Sequence, residues 1–226
     1  MKVLIIGSGA REHTLAWKIA QSERVKKIYA APGNGGMAEI AECVDIKPDD
    51  IEQLLEFAKQ NAVDLTVVGP EQPLVFGIVD KFNNAGLKIF GPNSKGARLE
   101  GSKAYSKRFM KRYNIPTAKY EVFYRPEEAK KALDNFDFPL VVKADGLAGG
   151  KGAIICQNRE ESEKAINQLM IEKSFGAAGS QVVIEEYLDG IEASLLCFVS
   201  GTKIIQMESA RDYKKALDGD KGLNTG

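Results

Sequence analysis

Lys143 and Lys151 bracket a run of small residues, Val141-Val-Lys143-Ala-Asp-Gly146-Leu-Ala-Gly149-Gly150-Lys151-Gly152. The pattern reads as a strand, a glycine-rich loop and the start of a second strand. Two lysines beside such a loop suit a polyphosphate. A lysine is a point charge for phosphate, and glycine backbone lets N–H groups approach phosphate oxygens. The run is not a P-loop: Asp145 stands where the first glycine belongs, Gly152 follows Lys151, and a strand follows in place of a helix. A glycine hairpin with surface lysines has the same composition. Upstream, Gly7-Ser-Gly9-Ala-Arg11-Glu12-His13 follows an apolar run. As a dinucleotide fingerprint it fails twice, because Glu12 occupies the third glycine position and the second strand ends in Ala30-Ala31 without an acid. What survives is an anion site at a helix N-terminus with Arg11 beside it, or a tight turn that needs glycine. Downstream, Val183-Ile-Glu185-Glu186-Tyr-Leu188-Asp-Gly190-Ile-Glu192 places acids on an extended connector. Carboxylates and peptide groups there suit a base amino group and a ribose diol; solvated acids beside a turn are the plainer reading.

Other chemistries are set aside by composition. Histidine occurs once, at His13, so a multi-histidine zinc site is excluded. His13 reads equally as a substrate contact or as a first-turn residue packed on the sheet. Cys43, Cys156 and Cys197 are far apart and form no C-x-x-C. They read as reduced, mostly buried thiols of a cytoplasmic protein. Lys and Arg total 31 and Asp and Glu total 31 among 226 residues. That balance gives no field for nucleic acid or an anionic membrane. No apolar run approaches the roughly 18 residues needed to span a bilayer.

The elements that must position these groups follow from periodicity. Strands at Val3–Ile6, Ile28–Ala31, Leu65–Val68 and Lys88–Phe90 alternate with helices. The helices run through Leu15, Ala16, Ile19 and Ala20, over Asp49–Gln60 and over Pro73–Asn83. Alternation predicts α/β architecture, a doubly wound parallel sheet over residues 1 to 92. Ligands bind such sheets at the carboxyl ends of the strands, where the glycine turns fall. A basic helix is expected over Ser94–Tyr113. A smaller α+β module follows, with strands at Tyr120–Tyr124, Leu140–Lys143, Ala153–Cys156 and Val182–Glu186, and helices at Pro126–Asn135 and Glu160–Ile171. A hairpin is expected across residues 195–206, turning at Ser200-Gly201. Asp218–Gly226 reads as a flexible glycine-rich loop, which suggests the front part of a longer chain. The expected domains are 1–100 (substrate binding), 101–122 (connector), 123–190 (lid subdomain) and 191–226 (start of a central subdomain).

Taken together, the lysine loop and the acidic connector resemble the ATP-grasp superfamily. Further motifs narrow the resemblance: Gly7–His13, Ala31-Pro-Gly-Asn34, Val68-Gly-Pro-Glu71, Phe90-Gly-Pro92, Leu99-Glu-Gly-Ser-Lys103, Lys143-Ala-Asp-Gly-Leu147 and Asn224-Thr-Gly226. In this order they resemble the phosphoribosylamine–glycine ligase family. The resemblance implies ATP-dependent joining of glycine to 5-phosphoribosylamine through a glycyl phosphate, in de novo purine synthesis. It implies a pre-ATP-grasp domain followed by an incomplete ATP-grasp domain, with ATP and Mg²⁺ or Mn²⁺ as cofactors. By it, Lys103 and Lys143 contact ATP phosphates and the loop with Gly146, Gly149, Gly150, Lys151 and Gly152 covers them. Glu185, Glu186 and Leu188 lie around the base, and Glu192 takes the ribose hydroxyls. Gly9, Arg11, Glu12, Asn34 and Glu71 lie near the ribosylamine phosphate and sugar, with Asn224 and Thr225 as further substrate contacts. Asp212 and Lys214 lie near the reacting centre. No metal ligand is assigned within these residues; the family's acidic strand is expected beyond residue 226. The implied partners are small molecules, with no nucleic acid and no membrane, in a monomer or homodimer. Tyr213 and Leu223 depart from the family's usual histidine and proline. If the chain is complete, nucleotide binding without ligation is expected. The rival readings are another ATP-grasp ligase or carboxylase, an inactive nucleotide-binding module, and a nicotinamide-dependent reductase.

Overall fold

The structure, a computed structural model, describes residues 1–211, 213, 215–219 and 221–224. The chain forms two compact units, Met1–Ser106 and Lys107–Gly226.

In the first unit, β1 (Lys2–Gly7), α1 (Ala10–Ala20), β2 (Lys27–Pro32), β3 (Glu42–Cys43), α2 (Ile51–Gln60) and β4 (Leu65–Val68) come first. They are followed by α3 (Glu71–Val75), α4 (Ile78–Asn84), β5 (Ile89–Phe90), α5 (Ser94–Gly101) and the start of α6 (Lys103–Arg112). The strands pair in parallel in the order β3-β2-β1-β4-β5. The reason lies in β1, whose apolar run buries both faces. Leu4 and Ile6 enter one apolar layer with Leu54, Ile78 and Phe82. Val3 and Ile5 enter the other with Ala16, Met37 and Val67. The chain leaves β1 toward β2 and later returns to place β4 on its other side. The crevice of the sheet therefore opens at the carboxyl ends of β1 and β4.

Two local expectations are corrected here, and one strand had not been expected. The helix expected over Pro73–Asn83 is two helices, because Gly77 takes φ +86°. That left-handed conformation is cheap only for glycine and turns the chain between α3 and α4. The basic helix over Ser94–Tyr113 also breaks, at Ser102, which is extended (φ −146°, ψ 112°). The Ser102 hydroxyl accepts from the Tyr105 N–H at 3.1 Å and so begins α6. β3 has only two residues, too few to leave a pattern in sequence.

The α4–α5 junction is held by Asp80, whose Oδ2 accepts from the Ser94 N–H at 2.8 Å. That backbone hydrogen bond holds the Asp80 carboxyl below its usual range, helped by the Ser94 side chain and the Lys95 charge. A carboxyl with a lowered folded pKa stabilises above its unfolded pKa and loses that contribution as pH falls through the folded value. Asp80→Asn is therefore expected to lower the melting temperature at neutral pH. The difference from the parent is expected to close below about pH 4. A difference that persists in acid would remove the carboxylate from the junction.

In the second unit, β6 (Tyr120–Phe123), α7 (Pro126–Ala132), β7 (Leu140–Ala144), β8 (Ala153–Cys156), α8 (Arg159–Ile166) and β9 (Val182–Glu186) form the body. The strands make an antiparallel sheet in the order β6-β9-β7-β8. Alternation divides its faces. Leu140, Val142, Ala144, Val182 and Ile184 pack with Leu133, Ala165, Ile166 and Leu169 into one core. Lys143 and Glu185 belong to the opposite face. The helix expected over Pro126–Asn135 tightens to a 3₁₀ turn at Leu133–Asn135. The one expected over Glu160–Ile171 widens to a π-turn at Asn167–Ile171. A 3₁₀ segment, Gly176–Ser180, precedes β9. β10 (Cys197–Ser200) and β11 (Lys203–Gln206) form the expected hairpin. The loop expected over Asp218–Gly226 is corrected: β12 (Lys215–Leu217) and β13 (Lys221–Asn224) pair antiparallel. Among the described residues, no helix is long and apolar enough to cross a membrane.

Candidate functional site

In the first unit, the carboxyl ends of β1 and β4 open onto a cleft of about 420 Å³. Ser8 and Gly9 line it from the β1–α1 turn, Pro70, Gln72 and Pro73 from the β4–α3 turn, and Lys47 and Asp49 from the segment before α2. Glu12 joins the two turns. It is 5% exposed, and its Oε2 accepts from the Gly9 N–H at 2.6 Å. A Cβ on Gly7 would lie 2.6 Å from Glu12 Cγ, and one on Gly69 would lie 2.5 Å from its Cδ. These glycines are therefore small because the Glu12 side chain fills the space above them. One oxygen of Glu12 already serves the protein. Asn34 is also committed: its amide donates to the Ser8 carbonyl at 2.9 Å and its Oδ1 accepts from the Met37 N–H at 2.9 Å. Arg11 is exposed on the first turn of α1, and Glu71 opens α3; neither is among the cleft-lining residues. Lys47 is, and the sequence reading missed it. Its only signal was a cation just before the Pro48 that leads into α2. His13 packs by its ring over Gly36, where a Cβ would collide with it.

In the second unit, β7 and β9 bring Lys143 and Glu185 together on the face opposite the apolar core. Lys143 Nζ pairs with Glu185 Oε1, and Lys107 Nζ, from α6, reaches Oε2 of the same carboxylate. Glu185 is buried to 4% exposure. Its Oε2 has the ion-pair contact but no aligned hydrogen bond. Lys107 also donates to Thr117 Oγ1 at 2.8 Å and lies 5.6 Å from the Tyr120 ring centroid. Burial holds the Lys107 ammonium below the usual lysine range, and the Glu186 charge opposes that shift. The sequence reading missed Lys107. The available signal was helical spacing, since Lys107 stands one turn after the buried Ala104.

The glycine loop leaves β7 directly beyond Lys143. Its entrance is fixed: the Asp145 and Gly146 N–H groups donate to the Ala178 carbonyl at 3.0 and 3.3 Å. Asp145 Oδ2 accepts from Gln181 at 2.5 Å. Its tip takes left-handed turns at Gly149 (φ +56°) and Gly150 (φ +78°), with Lys151 exposed beside them. Glu186 is separated from Glu185 by the alternation of β9. Its Oε1 accepts from the Lys119 N–H at 2.8 Å and it is exposed. Leu188 and Glu192 are exposed on the connector beyond β9. Lys103 begins α6 and is half-buried. Asp212, Lys214 and Thr225 lie outside the described residues, as does the side chain of Asn224. Of the cysteines, only Cys156 is buried; Cys43 and Cys197 are exposed, which corrects the expectation of mostly buried thiols. Burial pushes the Cys156 thiol up, away from nucleophilic use. Among the described residues, no three His, Cys, Asp or Glu side chains converge. The described residues alone do not fit a divalent cation.

Solved structures share this fold. The biotin carboxylase domain of Hydrogenobacter thermophilus 2-oxoglutarate carboxylase aligns over 85% of this chain and 45% of its own, with TM-score 0.69 and 22% identity. N5-carboxyaminoimidazole ribonucleotide synthetase from Thermotoga maritima aligns over 94% and 53%, with TM-score 0.67 and 23% identity. At such identities the likeness is one of fold alone; the ATP-grasp class comes from the match of residues 101–226 to an ATP-grasp domain. Within it, the chain belongs to the phosphoribosylglycinamide synthetase family: residues 1–100 match the N domain and residues 101–226 the ATP-grasp (A) domain. It is 54% identical to phosphoribosylamine–glycine ligase of Halalkalibacterium halodurans and 53% identical to that of Clostridium acetobutylicum, over the whole chain. The crystal structure of the Thermotoga maritima ligase matches all of it with TM-score 0.82 and 36% identity, over 54% of that chain. The chain spans about half the length of the curated relatives it matches.

Proposed function

We propose that this chain supplies the ribosylamine-binding and nucleotide-binding parts of an ATP-dependent ligase that joins glycine to 5-phosphoribosylamine. The observation that carries the reading is the succession of two domains of one synthetase family, in order, over the whole chain. The chemistry fits the groups described. A carboxylate resists attack by an amine, and phosphorylation by ATP gives glycine a good leaving group. Positioning and charge neutralisation dominate phosphoryl transfer. Lys103 and Lys143 would neutralise the phosphates, with Lys151 and the loop Gly146–Gly152 covering them and excluding water from the labile acyl phosphate. Glu185 would accept from the base, with Glu186 contributing backbone, and Leu188 and Glu192 would border base and ribose. In the first unit, the α1 turn at Gly9, with Arg11, would take the ribosylamine phosphate. Lys47 adds a cation on that cleft and Glu12 shapes it, with Asn34 and Glu71 proposed as further contacts on the resemblance alone. Asp212, Lys214, Asn224 and Thr225 are proposed near the reacting atoms and substrate on the resemblance alone. The same resemblance supplies the proposals of Mg²⁺ or Mn²⁺ as cofactor, a cytoplasmic location, and a monomer or homodimer.

Calorimetric titration of the 226-residue chain tests both halves, with ATP as one probe and ribose 5-phosphate as a stable stand-in for the ribosylamine. Saturable binding of each is expected. Absence of ATP binding would overturn the nucleotide assignment. No glycine-dependent ADP release is expected of these 226 residues alone. In an enzyme that carries the rest of the family's length that release is expected to respond to glycine, and a response to bicarbonate instead would make the chain part of a carboxylase.

A further inference from the structure

We infer that Lys107 is a positioning residue of the nucleotide site: it is the fixed counter-charge of Glu185 that frees Lys143 to leave that carboxylate for a phosphate. The inference rests on the nucleotide reading above and extends it to a residue outside the motifs that suggested that reading.

The argument begins with an asymmetry. Both lysines touch Glu185, one on each oxygen. The Lys107 side chain is 11% exposed and that of Lys143 is 27% exposed. Lys107 has further anchors, the Thr117 hydroxyl at 2.8 Å and the Tyr120 ring at 5.6 Å. Tyr120 lies directly opposite Glu185 in the β6–β9 register, so the ring and the carboxylate approach Lys107 from neighbouring strands. Lys143 stands at the mouth of the glycine loop, and its side chain is the more solvent-accessible partner. An arriving polyphosphate competes with Glu185 for Lys143 and cannot reach Lys107 as readily.

Removing one partner of a buried ion pair is far costlier than the pair is worth, because the remaining charge is left without compensation. With Lys107 in place, Lys143 can move to phosphate and Glu185 keeps a cation. Without Lys107, the same movement strands a buried carboxylate. Lys107 thus converts a static ion pair into a transferable one. Once Lys143 has moved, Glu185 Oε1 is also able to accept from a ligand donor while Lys107 stays on Oε2. The charged and titratable groups that bear on Glu185 are Lys107 from α6, Lys143 from β7 and Tyr120 from β6, with Glu186 next along β9.

The test is ADP binding to the 226-residue chain across pH, for the parent, Lys107→Met, Lys107→Arg and Lys107→Met/Glu185→Gln. Lys107→Met is expected to weaken ADP by about tenfold or more near pH 8. The loss should shrink in acid, as Glu185 takes a proton and releases Lys143. Lys107→Arg is expected within about threefold of the parent, since the charge is retained. The double variant is expected to show no such pH dependence. A loss that is equal at every pH, or equally present in Lys107→Arg, would make Lys107 merely structural and overturn the proposal. Should Lys107→Met fail to fold, lysine ¹⁵Nζ resonances of the parent decide: ADP is expected to shift Lys143 and leave Lys107 unmoved, and the reverse overturns the inference. A parent that binds no ADP refutes the nucleotide reading instead. The pairing is then read without ligand, from the Glu185 carboxyl titration. It is expected to rise more in Lys107→Met than in Lys143→Met, and an equal or smaller rise overturns the inference.

Discussion

Glu185→Ala is expected to cost the second unit about 3–5 kcal/mol of folding stability, far more than Lys143→Ala. The difference follows from which charge is left behind. Without Glu185, Lys143 is exposed enough to turn to water. Lys107 is not, and keeps the Thr117 hydroxyl, the Tyr120 ring face and the charge of Glu186 in place of a direct ion pair. Without Lys143, Glu185 still has Lys107, so the expected loss is that of a partly exposed pair, about 1 kcal/mol or less. The sign of the pH dependence can also be stated. The folded-state pKa of Lys107 is lowered by burial. At a pH between that value and the ordinary lysine pKa, the unfolded chain therefore binds more protons than the folded one. Stability then rises with pH. The Glu185→Ala deficit should accordingly narrow as pH climbs toward about 10. Urea denaturation of both variants measures this. Equal losses, or a deficit that grows with pH, would mean that Lys107 is not the group under stress.

Gly179→Ala is expected to lower stability by about 2–3 kcal/mol and to weaken nucleotide binding with it. Gly179 is buried in the 3₁₀ segment before β9, and its added Cβ would press on the backbone of Leu169, 3.0 Å from the carbonyl carbon and closer to the oxygen. Backbone cannot swing aside as a side chain can, so the π-turn or the 3₁₀ segment must shift. The neighbouring Ala178 carbonyl holds the Asp145 and Gly146 N–H groups. A shift there moves the entrance of the glycine loop. Ser180→Ala, in the same segment, removes only a hydroxyl hydrogen bond to the Ala177 carbonyl and is expected to cost about 1 kcal/mol. Denaturation midpoints, with amide exchange at Gly146, give the readout. Parental stability in Gly179→Ala would mean that the segment yields freely.

The doubly wound sheet was legible because β1 is apolar at every inward position and the four strands other than β3 end in glycine turns. The antiparallel sheet of the second unit was legible from its short apolar runs, its four strands being placed to within a residue at either end. What escaped were features decided in three dimensions. A break at Ser102 depends on a hydroxyl turning back to the Tyr105 N–H. β3 exists only because β2 offers an open edge. For the candidate site, residue type singled out Lys143 and Glu185 as candidates, but not that they pair with each other. Lys107 escaped because a lysine on a basic helix resembles its solvated neighbours until the helix face is known. Lys47 lacked a glycine or strand signal of its own. Glu186 was grouped with Glu185 by adjacency, although a strand turns adjacent residues to opposite faces.

The enclosure of Glu12 also constrains how this sequence can change. Its side chain occupies the room that a Cβ at position 69 would need, and the same holds at position 9. Alanine at either place is unfavourable only while a long acid stands at 12. Shorten that acid first, and the two substitutions lose their penalty. Gly7 keeps its own restriction, because its φ of +125° disfavours any side chain regardless of space. Positions 9, 12 and 69 therefore form an epistatic set in which the order of substitutions decides their fitness. Turns some sixty residues apart in sequence are bound to evolve along a shared path.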